Sequence, residues 1–138
     1  MKPNLLCLLL PALLAAASTG CHTGGAYAPV NTTKYDLENK ADFVLLDHYV
    51  QHSVTCDGIQ ERKLDDGRLE VIANLRNREA RRIQVQVDCI FKDALGFPTG
   101  DQSPFEDVIL SENAQEGVRF VSMNDKAKRY TIRVRQSH

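Results

Sequence analysis

From Leu69 onward the chain alternates between apolar and polar positions. Leu69, Val71, Ala73 and Leu75 are apolar, Glu70, Asn74 and Arg76 between them are polar, and Ile72 breaks the rule. Ile83, Val85, Val87, Cys89 and Phe91 then alternate with Gln84, Gln86, Asp88, Ile90 and Lys92. A period of two places one set of side chains on each face, so both stretches read as strands with one buried side. Tyr130, Ile132 and Val134 repeat the pattern against Thr131, Arg133 and Arg135. Shorter apolar runs at Phe43–Leu46 leading into Tyr49 and Val50, at Phe105–Leu110 and at Val118–Val121 supply further strands. Asp65-Asp66-Gly67, Asn77-Arg78-Glu79-Ala80 and Asp93-Ala94-Leu95-Gly96 are turn signals between them. Pro98, Gly100 and Pro104 predict an irregular stretch, and residues 124–128 a loop or a single helical turn. No segment offers an amphipathic helix of three turns. About six or seven short strands between turns predict an all-β, immunoglobulin-like antiparallel sandwich over residues 41–138.

The start of the chain follows a different pattern. Leu5–Ala17 is apolar and interrupted only by Pro11. As a helix it would reach roughly 20 Å, short of a bilayer core of about 30 Å. It therefore reads as the core of a signal peptide over residues 1–20. Ser18-Thr19-Gly20-Cys21, small residues directly before a cysteine, resembles the bacterial lipobox. That resemblance implies diacylglycerol on the Cys21 sulfur, cleavage before it, and an acyl chain such as palmitate on the new amino group. Several acyl chains hold a protein stably to a membrane. Without Asp after the cysteine, His22 implies sorting to the outer membrane, facing the periplasm. Residues 21–40, rich in Gly, Ala, Thr, Asn and Pro, read as a flexible tether.

Composition bounds the class of partner. The chain has 138 residues, enough for one domain, with 17 Lys and Arg against 18 Asp and Glu. A net charge of -1 argues against a nucleic-acid partner, which counterion release would favour only with a positive excess. Of four cysteines, Cys7 leaves with the signal and Cys21 takes lipid, which leaves Cys56 and Cys89. In an oxidising compartment these are expected to form a disulfide; the alternative is two buried thiols. The bond would close about 33 positions and add about 3–4 kcal/mol in the chain-entropy account.

The strand Leu69–Arg78, ending in Asn77-Arg78, and the strand Ile83–Lys92 followed by Asp93-Ala94-Leu95-Gly96 resemble the YcfL-like lipoproteins. Gly117–Val121 and Tyr130–Arg135 fit as well, so the likeness spans residues 41–136. Val87, Cys89, Phe91 and Phe105 stand where that family usually has aromatic residues. The resemblance implies a small sandwich on a lipid anchor and supplies no catalytic residue.

Candidate chemistry is sparse. His48, His52 and Cys56 recur every fourth residue, the spacing of a zinc-binding helix face. The surrounding pattern is β, where such residues stand about 13 Å apart, so no metal site is expected. Arg76, Arg78, Arg81 and Arg82 cluster about one hairpin, and Arg133 and Arg135 face outward on the last strand. If those strands are neighbours they form a basic patch for an anionic or protein partner; otherwise they are a solvated face that protects a sheet edge. Asp65, Asp66, Asp88, Asp93, Glu106 and Asp107 form no converging acid–base pair by pattern. No nucleophile elbow, phosphate loop or His-Glu-x-x-His motif is present. The sequence thus predicts no cofactor and a non-catalytic envelope lipoprotein, an interaction or structural module with a membrane anchor and an envelope-protein or peptidoglycan partner. The alternative is a binder of small ligands or cell-wall fragments with a pocket among the loops.

Overall fold

Each alternating strand has one apolar face to hide, and two sheets hide them against each other. The computed structural model describes residues 41–138; the expected signal peptide 1–20, the expected tether 21–40 and Cys21, the expected lipid acceptor, lie outside the described residues. The elements are β1 (Phe43–Leu45), α1 (His48–Ser53), β2 (Val54–Lys63), β3 (Leu69–Asn77), β4 (Ile83–Lys92), β5 (Pro98–Gln102), β6 (Glu106–Leu110), β7 (Gln115–Val121) and β8 (Arg129–Gln136). One sheet has the order β2-β3-β7. The other has the order β1-β8-β4, with β5 and β6 both beyond β4. β6 pairs with the first half of β4 (Val85↔Val108) and β5 with the second (Ile90↔Gln102). The core lies between the sheets. Val71, Ala73 and Leu75 meet Val85, Val87, Cys89, Phe91, Ile132 and Val134 there, all buried.

The all-β sandwich expected from the pattern is the observed fold, with four local differences. Tyr49 and Val50 do not extend the first strand. Asp47 accepts a hydrogen bond from the Val50 N–H at 3.0 Å and caps α1, which buries Val50 and Ser53 one turn apart. β2 has no simple alternation because it is an edge strand, exposed over most of its length and broken by a bulge between Cys56 and Gly58. β5 occupies the stretch expected to be irregular, on an edge where Pro98 costs no ladder bond. The β1–β8 ladder is parallel, with Phe43 opposite Ile132.

The predicted Cys56–Cys89 disulfide is not formed: both are free thiols. Cys56 belongs to the three-stranded sheet and Cys89 to the five-stranded one. Cys56 Sγ instead donates to the Gly58 carbonyl at 3.4 Å.

The turns behave as their residues dictate. Asp93 Oδ1 accepts from the N–H groups of Leu95 and Phe97 at 2.8 and 3.0 Å, and Gly96 completes the turn at φ +89°. Gly67 closes the β2–β3 hairpin at φ +85°.

Candidate functional site

Among the described residues, two edge strands leave one flank of the sandwich open. There β1 pairs only with β8, and β2 only with β3. Between them lies a cleft of about 580 Å³, lined by Phe43, Leu45, Val54, Cys56, Asp57 and Ile59 among others. Leu45 and Val54 are buried, whereas Phe43, Cys56 and Ile59 are half-buried and close the core from this side. Ile132 donates to the Asp42 carbonyl and Leu46 to that of Val134, both backbone bonds across the ladder. The backbone groups of Phe43 and Leu45, by alternation, face away from β8 on the cleft side. Apolar walls with a few polar backbone groups suit binding of an apolar segment.

The cleft holds one reactive group, and it is quiet. Burial raises the Cys56 thiol above its ordinary range, and the neighbouring Asp57 carboxylate raises it further, against the lowering effect of backbone hydrogen bonds with Gly58 and Asn74. A protonated thiol is a poor nucleophile. Burial also raises Cys89 and Tyr130, and Tyr130 feels the negative charges of Asp42 and Glu61.

The six arginines do not form one patch. Arg76 lies on the outer face of the three-stranded sheet, with Nε 3.7 Å from Asp57 Oδ2. Arg133 and Arg135 lie on the outer face of the five-stranded sheet, the opposite side of the sandwich. There Arg133 forks onto the buried Asp88 at 2.9 and 2.5 Å. Both guanidinium groups stack on Phe105, with centroid distances of 5.4 Å for Arg133 and 3.8 Å for Arg135. At the β3–β4 turn Arg81 pairs with Glu79 and lies over the Tyr49 ring at 5.9 Å, while Arg78 and Arg82 are exposed. The resemblance marked Phe105 as an aromatic position, but its role as the platform for two cations was missed, because Arg133 and Arg135 lie on a distant strand of the sequence.

His48 and His52 are on α1 and not on a strand, and their rings meet edge to face at 4.3 Å. Cys56 falls beyond the helix on β2, so the three residues do not converge. Among the described residues no group of three or more His, Cys, Asp or Glu is placed to hold a metal. The acidic candidates are spread over turns and strands: Asp66 is bonded to Arg68, Asp88 to Arg133, Asp93 to its own turn and Asp107 to Ser137.

Two solved structures share this fold. The chain is similar to the crystal structure of Campylobacter jejuni cj0090, with a TM-score of 0.57 and 14% identity over 71% of this chain and all of that one. It is also similar to a DUF1425 family member from Shewanella sp. pv-4, with a TM-score of 0.56 and 19% identity over 62% of this chain and 79% of that one. No protein-family profile and no curated protein matches the sequence. DUF1425 is a YcfL-like family, so the second neighbour is of the kind that the strand motifs resemble. At these identities the likeness establishes the architecture alone.

Proposed function

We propose that this chain is a YcfL-like envelope lipoprotein, held through Cys21 in the outer membrane and facing the periplasm, that acts as a non-catalytic interaction module. The observation that carries the reading is the open flank between β1 and β2. It offers apolar side chains and backbone groups, and its single thiol is kept protonated. Such a surface recognises an extended segment of another envelope protein better than it performs chemistry. The lipobox-like Ser18-Thr19-Gly20-Cys21 supports the anchor.

Two measurements test this. Intact mass of membrane-extracted protein is expected to begin at Cys21 and to carry diacylglycerol and an amide-linked acyl chain; a chain that retains Met1 overturns the anchor. Crosslinking of intact envelopes is expected to give a reproducible partner adduct that Ile59→Arg, in the cleft wall, abolishes. Recovery of monomer alone from both chains counts against an interaction role.

The cleft volume also lies within the range of small-ligand sites, which favours a second reading as a carrier of a small apolar molecule. Native mass spectrometry separates the two, since a carrier retains a bound small molecule and a protein-binding module does not.

A further inference from the structure

One end of the sandwich gathers features that the cleft does not use. The β4–β5 turn places Leu95 and Phe97 in solvent at 80% and 65% exposure, and Met123, just after β7, is 81% exposed. Hydrogen bonds tie these loops into one surface. Lys128 N donates to the Lys92 carbonyl at 2.8 Å, beside the turn that starts at Asp93, and Met123 N donates to Asp101 Oδ2 on β5 at 2.5 Å. Neither turn is a loose strap, because Asp93 receives two backbone N–H groups and Ser122 Oγ bonds the Asn124 carbonyl at 2.8 Å.

The chain enters the domain at this same end. Ala41 accepts from Thr131 Oγ1 at 2.9 Å, and β1 runs parallel to β8 from its beginning at Arg129. Arg129 is in turn opposite Lys92 at the end of β4. Only residues 22–40 separate this entry point from Cys21, a reach of at most ~70 Å even fully extended.

We propose that this end rests on the phospholipid surface, with Leu95, Phe97 and Met123 entering the headgroup boundary and Lys126, Lys128 and Arg129 meeting lipid phosphates. Rigid turns that expose large apolar side chains beside cations suit an interface that is apolar below and ionic above. Asp93 and Asp125 in these loops, with Asp65 and Asp66 on the nearby β2–β3 turn, offset the positive charge of the cations, so apolar entry dominates and the contact persists in high salt. The inference deepens the membrane-anchored reading and rests on it for location only.

The chain contains no Trp, so Phe97→Trp makes a single fluorescent reporter at the tip. Ile109→Trp, on the exposed side of β6, makes its control away from that end. Membrane-extracted full-length protein of each kind is reconstituted into phosphatidylethanolamine–phosphatidylglycerol vesicles carrying bromine-labelled acyl chains. The expected result is blue-shifted emission from the Phe97→Trp protein, quenched at least about threefold more than that of the Ile109→Trp protein and unchanged in 0.5 M salt. Equal quenching of the two variants, or a tip reporter that emits as in water, overturns the proposal, and the latter assigns the tip to solvent or a protein. An acylated protein with an unquenched tip reporter leaves the anchor standing and removes only this inference; a quenched tip reporter on an unacylated chain does the reverse.

Discussion

Asn77 shows how much one side chain can organise. It is 1% exposed at the end of β3. Its Nδ2 donates to the carbonyls of Arg81, Leu110 and Ser111, and its Oδ1 accepts from Glu79 N. One amide therefore stitches the β3–β4 turn to the end of β6. Asn77→Ala leaves these buried groups without partners and is expected to cost at least about 3 kcal/mol, read from the urea midpoint. Asp88 is a second such point. Arg133→Met leaves its fully buried carboxylate without the guanidinium fork, an expected loss of about 3–5 kcal/mol by the same measurement; Asp88→Val together with Arg133→Met recovers a large part. Glu70 sets an acid limit. Its carboxyl lies between Arg119 and Arg62 and is held below the usual carboxylate range, chiefly by the Arg119 hydrogen bond. A lowered carboxylate stabilises the fold fully above its unfolded value and loses that contribution as pH falls through the folded one. Thermal stability is expected to hold down to about pH 5 and to fall below about pH 4, less steeply in Glu70→Gln. The Asn77 turn was legible in the sequence as a turn. Its network was not, because the partners at Leu110 and Ser111 are more than thirty residues away and no local pattern marks them.

At the scale of elements, legibility followed alternation. β3, β4 and β8 each bury one face in the core and announced themselves by period two. β2 and β5 are edge strands whose faces are mostly wet, so nothing forces their side chains to alternate. α1 was hidden for another reason. Its six residues include Tyr49 and Val50, which favour strands, and the capping carboxylate of Asp47 outweighs that local preference. Asp47 also accepts from Gln136 N at 2.6 Å, which ties the helix start to the end of β8. Asp47→Ala is therefore expected to destabilise by about 1–2 kcal/mol and to loosen the last strand, seen as faster amide exchange at Gln136.

For the whole molecule, the two-sheet architecture was readable because each long strand supplies an apolar stripe that only another sheet can cover. How the sheets divide the strands was not readable. Assigning β3 and β8 to different sheets sends Arg76 and Arg133 to opposite sides and places Cys56 and Cys89 on different sheets. With both thiols free, the described domain is held by packing and not by a crosslink. Reductant is expected to leave the melting temperature unchanged, and alkylation of the native protein is expected to reach Cys56 slowly, well before Cys89, whose thiol is fully buried.

The place of β1 has a mechanical consequence. It is three residues long, the first element after the entry point at Ala41, and one wall of the open flank. A pull arriving through the backbone at Ala41 is borne first by the few bonds that join β1 to β8, and they share the load in shear. Because this ladder is so short it yields before the rest of the sandwich, and as β1 slides off the flank loses its wall. If the domain is anchored as proposed, tension arriving at Ala41 would then govern what the flank can hold, and a bound partner would be released by force without any chemical signal.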